Sequence, residues 1–398
     1  LIGGVKVLKI DKKREMAKVD LHRHLKIVLA PDSFKGSLTA LQVCHAMADG
    51  VRRADPLAEI VLAPMADGGE GTVDALLTSS GGIRVHRRVA GPLGDDVTAS
   101  YAIFDRDRTA VIEMAAASGL PLVPIADRNP FKTTSLGAGQ LIADALDRGC
   151  HRLIIGLGGS ATCDGGSGMA QALGVRFLGI DPAEVMNGER MGRVTGVDLS
   201  GLHPHLAHAE IVAACDVDNP LLGPAGAVMV YGPQKGATAE QLPVLEHHMA
   251  HFAAMLEKAA GRAVSGRAGA GAAGGLGAAL MALAAARIER GIDVVMQACQ
   301  FEDKIRDADL ILTGEGRLDA QTRRGKTVWG VAQAAKKFHV PVIAIVGCSQ
   351  DRQARPGRYG LTAIQPLYKD TVTLEEAIHR AAPLVADAAE RIMLSWRT

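Results

Sequence analysis

The sequence predicts an α/β fold: a Rossmann/flavodoxin-like parallel-sheet domain built from both chain ends, with a large inserted second α/β domain. Three observations predict it. Short apolar runs alternate with segments of helical period near both ends of the chain. Those runs lead into loops rich in Gly, Asp or Ser, as strands do where a doubly wound sheet presents its carboxyl edge to a ligand. Between the two ends, residues 83–115 alternate in the manner of an antiparallel sheet.

Taken in order, Lys26–Ala30 reads as a buried strand stopped by Pro31-Asp32-Ser33. Residues Ser37–Arg53 carry Leu38, Leu41, Val43, Ala46, Met47 and Val51 at helical spacing, with Ser37 or Thr39 as the cap. Glu59–Ala63 is a second strand, and a helix over Val73–Leu77 follows Met65-Ala66-Asp67-Gly68-Gly69-Glu70-Gly71-Thr72. After the alternating stretch come a helix near 135–148, a strand at His151–Ile155, a helix from Gly165 and a mobile polar stretch around 180–208. Strands are expected at Glu210–Ala214 and Ala227–Tyr231, then a helix at 239–260 and a Gly/Ala-rich packing segment at 269–280. The opening pattern then returns. Ala308–Thr313 is a strand, Gly314-Glu315-Gly316 a turn, Thr327–Lys337 a helix, Val340–Val346 a strand and Leu374–Met393 a long terminal helix. The expected domains are 26–80 with 290–398, and 81–289 inserted between them; residues 1–25 read as an extension or flexible tail.

Composition narrows the function. Two Trp, four Tyr and seven Phe in 398 residues supply few stacking platforms for bases, and the net charge of +1 offers no basic patch, so a nucleic-acid partner is not expected. No apolar run is long enough to span a bilayer. Six scattered cysteines, without a C-x-x-C pair, fit a reducing cytoplasm better than a disulfide framework or zinc site. The partners expected are small molecules, with a homo-oligomer compatible with the sequence.

Five loops could carry chemistry. In Pro31-Asp32-Ser33-Phe34-Lys35-Gly36-Ser37, Lys35 adds a mobile positive charge beside helix-terminal amides, with Ser33 as a further donor; a capped turn is the plainer reading. Asp67 to Gly71 combines glycines at 68 and 69, which let backbone approach a ligand, with two carboxylates suited to Mg²⁺, Asp67 and Glu70. Gly156-Leu157-Gly158-Gly159-Ser160-Ala161 fits G-x-G-x-x-A, a dinucleotide fingerprint, but Ser160, Thr162 and Asp164 make it more polar than such a turn requires. Asp216, Asn219, Gln234 and Lys235 could meet around a small polar ligand, or serve only their own turns. Last, Thr313-Gly314-Glu315-Gly316-Arg317-Leu318-Asp319 precedes Gly325-Lys326-Thr327; this is no Walker motif, because position 320 is Ala.

In their order along the chain these loops resemble the bacterial glycerate kinase family of the glycerate 2-kinase type. The resemblance runs through KIVLAPDSFKGSLTA, PMADGGEGT, GLGGSATCDGGSGM, ACDVDNPLLGP, GPQKGAT, GAGAAGGLGAAL and LILTGEGRLDAQTRRGK, and spans roughly residues 26–390. Cys163 departs from it, standing where the family usually carries Asn. The resemblance implies phosphorylation of glycerate by ATP with Mg²⁺. On that footing Lys35, Lys235 and Lys326 are expected to neutralise phosphate or carboxylate, and Asp67, Glu70 and Glu315 to hold the metal. Backbone at Gly158, Gly159 and Ser160 is expected to cradle phosphate. Asp216 is nominated to orient the attacking hydroxyl, with Asp319 as its rival. Two other readings stay open at this point: a nicotinamide-dependent hydroxy-acid dehydrogenase, from the fingerprint, and a non-catalytic sugar-acid-binding protein.

Overall fold

A computed structural model describes residues 24–105, 108–318, 326–349, 356–367 and 374–397. Its strands, in chain order, are β1 Lys26–Pro31, β2 Glu59–Leu62, β3 Ile83–Ala90, β4 Asp96–Phe104, β5 Thr109–Glu113, β6 Arg152–Gly156 and β7 Arg176–Leu178. They continue as β8 Gly196–Asp198, β9 Glu210–Ala214, β10 Arg287–Glu289, β11 Leu310–Leu318, β12 Val342–Ser349 and β13 Ala363–Pro366.

The chain divides into two compact units. One contains the described residues up to Pro64 together with those of Phe301–Arg324 and Val328–Thr398; the other contains Met65–Gln300 and the short piece around Lys326. The division falls at Pro64/Met65 and Gln300/Phe301, outside the boundaries expected near 80 and 290. It assigns the helix Thr72–Ser80 to the second unit. The tail expected at 1–25 lies, up to residue 23, outside the described residues.

The first unit holds a five-stranded parallel sheet in the order β13-β12-β11-β1-β2. Counting only its own strands, this is the order 2-1-3-4-5 of flavodoxin-like sheets, whose switch point lies between β1 and β11. The helix Ala40–Ala54 turns Val43, Cys44, Met47, Ala48 and Val51 into its core. Thr39 opens that helix with a capping box: its hydroxyl accepts from the Gln42 amide, and the Gln42 side chain accepts from the Thr39 amide.

The second unit is built on a six-stranded mixed sheet, β10-β9-β6-β5-β4-β3. As the alternation foretold, β3, β4 and β5 pair antiparallel; β5 then runs parallel to β6, β6 to β9 and β9 to β10. The Gly/Ala-rich segment packs as expected. The Gly165 amide donates to Gly274 O and the Thr162 hydroxyl to Ala273 O, at 3.0 and 3.4 Å.

Four elements differ from expectation. Ala227–Tyr231 is a helix, closed by the Gly232 amide on Val228 O; a five-residue apolar run does not reveal its period. Gly314-Glu315-Gly316 is not a turn but the interior of β11, with Glu315 opposite Val346 and Arg317 opposite Cys348. Its glycine marks close approach of a neighbouring strand: a Cβ on Gly314 would sit 2.3 Å from Ile345 O. The terminal helix is two, Leu374–His379 and Ala381–Arg397, because Pro383 is tolerated in a first turn but not in a helix interior. The stretch 180–208 is tied down. It contributes β8, which pairs with β7, and Arg190 bonds Glu184 and Val185 O at 3.0 Å each.

Candidate active site

The chemistry-bearing loops of the second unit gather at the carboxyl edge of its parallel strands. There Glu113 lies opposite Gly156, and Gly156 opposite Ala214. The segment from Asp67 to Gly71 passes over this edge at backbone contact. A Cβ on Gly158 would lie 2.7 Å from Gly69 Cα, and one on Gly291 would lie 1.9 Å from Asp67 O. Only glycine permits either approach.

Two stretches of unpaired amides result. The loop after β6 is pinned by Leu120 N to Gly159 O (2.8 Å) and by Ala161 N to Ser118 O (2.9 Å). Its own amides at Gly158, Gly159 and Ser160 donate to no acceptor among the described residues. The same holds for the amides of Gly68, Gly69 and Glu70 on the neighbouring segment. Backbone amides left without acceptors in adjoining loops are donors available to an anion.

Charge beneath the loop reinforces this. The Lys235 ammonium is buried, and donates to Ser160 Oγ at 2.8 Å and to Thr162 O at 2.7 Å. Burial pulls its pKa below the usual lysine value. Because Lys235 occupies a lone pair of Ser160, the hydroxyl proton of Ser160 is left to point elsewhere as a donor.

Carboxylates complete the edge. Asp216 follows β9 and accepts from the Gly291 amide at 2.9 Å. Although its side chain reaches solvent, the protein around it raises its carboxyl to about 7, and the charge of Asp67 adds to the rise; the Gly291 bond, Lys326 and Arg290 oppose it. Glu113, absent from the sequence-based candidates, stands at the end of β5. Its Oε1 accepts from the Val73 amide at 2.8 Å. Burial is the main cause that lifts its carboxyl to about 7, and the charges of Asp74 and Glu70 contribute. The sequence signal for Glu113 was slight: a strand ending in an acid that no local turn explains.

Several expected residues have other duties or other places. Asp164 is fully buried, and its carboxylate accepts from Ser135 N and Oγ and from the Gly166 and Gly168 amides, at 2.7–3.2 Å. Asn219 is held within its own loop, donating to Ala225 O and accepting from the Tyr231 hydroxyl. Gln234 is exposed beside the buried Lys235. Ser33, Lys35 and Glu315 belong to the first unit, at the switch point of its sheet. Lys35 is exposed and Glu315 buried. A Cβ on Gly316 would lie 3.3 Å from Phe34 Cα, so the Ser33–Lys35 loop lies against the end of β11. Asp319 lies outside the described residues. Among the described residues, no group of three or more His, Cys, Asp or Glu side chains is arranged to hold a metal ion.

The fingerprint Gly156–Ala161 does not lead into a helix. The next helix is Ser167–Ala172, so the loop lacks the helix N-terminus on which a dinucleotide pyrophosphate rests. The motif order is decided by comparison. The sequence profile of the Glycerate kinase family matches residues 27–397. The chain belongs to the glycerate kinase family. One member, glycerate kinase from Bacillus subtilis (strain 168), is 48% identical over 372 residues, covering 93% of this chain and 97% of that protein. Glycerate 2-kinase from Escherichia coli (strain K12) is 45% identical over 369 residues, covering 92% and 97%. A crystal structure from Salmonella typhimurium LT2, provisionally described as glycerate kinase 2, superposes with a TM-score of 0.84 at 45% identity, over 94% of this chain and 99% of that one. Among the described residues, no helix is long and apolar enough to cross a membrane.

Proposed function

We propose that the protein transfers the γ-phosphoryl group of ATP to glycerate, at the 2-hydroxyl, giving 2-phosphoglycerate and ADP. Membership of the glycerate kinase family and the name of the Escherichia coli relative support the substrate and the position. The observation in this chain that carries the reading is the pair of amide stretches, Gly68–Glu70 and Gly158–Ser160, the second backed by the buried Lys235 ammonium. Phosphoryl transfer asks a protein chiefly to position groups and to offset charge on phosphate oxygens, and preorganised donors do both.

Each residue then has a role. The amides and the Ser160 hydroxyl bind phosphate oxygens, while Lys235 adds charge from behind without reaching the ligand. Asp216 accepts the proton of the attacking hydroxyl, since a carboxyl poised near 7 is a better base at neutral pH than an ordinary one. Lys326 offsets negative charge beside it. In the first unit, Ser33 and Lys35 are assigned to an anionic group, and Glu315 stays a metal candidate.

The residues fit a magnesium ion. Asp67 and Asp216 repel each other, a strain that a cation relieves, and Glu70 is on the same segment as Asp67. One or two carboxylates suffice for Mg²⁺, because phosphate oxygens and water complete its shell. When bound, Mg²⁺ would offset charge on the phosphate oxygens; the chain's part is to present Asp67 and Glu70.

The test is direct. The protein is incubated with ATP, Mg²⁺ and D-glycerate, and the product is identified by phosphorus and carbon NMR. 2-Phosphoglycerate is expected. ATP left unconsumed would overturn the kinase reading, and 3-phosphoglycerate would overturn the position.

A further inference from the structure

Glu113 belongs to no glycine-rich loop, and the reaction outlined above assigns it no contact with substrate. Its position is nonetheless specific. The helix Thr72–Ser80 starts from Gly71, which is left-handed (φ 93°) and offers no side-chain cap. A helix start leaves its first amides without partners. Here the missing acceptor comes from the sheet: Glu113 Oε1 takes the Val73 amide at 2.8 Å. The carboxylate thus ties the end of β5 to the helix that leaves the Asp67–Gly71 segment. The charged groups acting on it are Asp74 in the helix and Glu70 in the segment, both acidic.

We infer that Glu113 is a positioning residue for phosphoryl transfer, setting the height of the Gly68–Glu70 amides against Gly158 by capping the following helix from the sheet. This rests on the kinase reading for its consequence, but not for its geometry. A shift of about an ångström at reacting groups can cost a factor of about 100 in rate, so a loosened cap acts on turnover before it acts on folding.

Two variants of the full chain test it. Glu113→Gln keeps an oxygen for the Val73 amide and drops the charge; Glu113→Ala drops both. Steady-state turnover of ATP and glycerate is measured beside hydrogen exchange at the Val73 amide and thermal unfolding. Glu113→Ala is expected to lower kcat about 10- to 100-fold with KM changed less, and to speed exchange at Val73. Glu113→Gln is expected to recover kcat to within about 3-fold of the parent and to restore protection. If Glu113→Gln is as inactive as Glu113→Ala while both are folded, the carboxylate acts in the chemistry itself and the positioning role is overturned. Unchanged kcat in Glu113→Ala also overturns it. Should the parent enzyme not turn over glycerate at all, the kinase reading fails. The cap is then judged by exchange alone, and equal protection at Val73 in all three proteins overturns it.

Discussion

Loss of water around the Asp216 carboxyl, with the charge of Asp67 adding to it, makes Asp216 useful. Its carboxyl is raised from the ordinary 3.8 to about 7. If it takes the proton of the glycerate hydroxyl, kcat/KM falls as pH drops below about 7, roughly tenfold per unit. Asp216→Asn should lose both the activity and that acid limb, in a pH–rate series. The stability consequence has the opposite sense. A carboxyl raised in the fold costs nothing below about pH 4, where it is neutral folded or unfolded, and its cost grows until pH passes about 7. Asp216→Asn should therefore gain melting temperature over the parent by more at pH 8 than at pH 4. Asp164 is the contrast. In sequence it stands out as one of the residues that make the loop after β6 unusually polar, a binding candidate, yet it is buried and accepts from Ser135, Gly166 and Gly168. Its removal leaves those donors buried without an acceptor, at about 1–3 kcal/mol each. Asp164→Ala should thus lose several kcal/mol in chemical denaturation, and Asp164→Asn clearly less. A residue's burial depends on what the chain folds over it, which local composition does not encode.

Among the elements, legibility followed length and period. The helix Ala40–Ala54 was readable, with its Thr39 cap among the two proposed, because its apolar stripe spans several turns. Thr39→Ala should cost about 1 kcal/mol, measured by equilibrium unfolding. Ala227–Tyr231 was not readable, since five apolar residues suit strand or helix equally and the packing of Ala227 and Val228 decides. The extension of β11 through Gly314-Glu315-Gly316 was hidden for a different reason. Glycine signals a turn in sequence, whereas here it admits the neighbouring strand. Helix ends at the carboxyl edge of the second sheet share one device. Acids from elsewhere in the chain take their amides, Glu113 for Val73 and Asp216 for Gly291. Such caps join positions far apart in sequence, which is why Glu113 went unnoticed while the local Thr39 cap did not.

On the scale of the whole chain, the order 2-1-3-4-5 in the first sheet follows from strands supplied by both ends of the sequence, and their recurrence was visible. The second unit's mixed sheet was legible in part: the antiparallel strands showed their alternation, but the pairing of β5 with β6 is a long-range choice. The site was legible as a set of loops and not as a geometry. Gly68, Gly69, Gly158, Gly159 and Ser160 were singled out separately; their close approach at Gly158 and Gly69 makes them one cradle. The most direct test of that cradle is the turnover of Gly158→Ala with ATP and glycerate. Its added Cβ would press on Gly69 Cα at 2.7 Å, separating the two amide stretches. The predicted result is a fall in kcat/KM of about 100-fold, with cooperative unfolding retained. Parental kcat/KM in a folded Gly158→Ala variant would contradict the account.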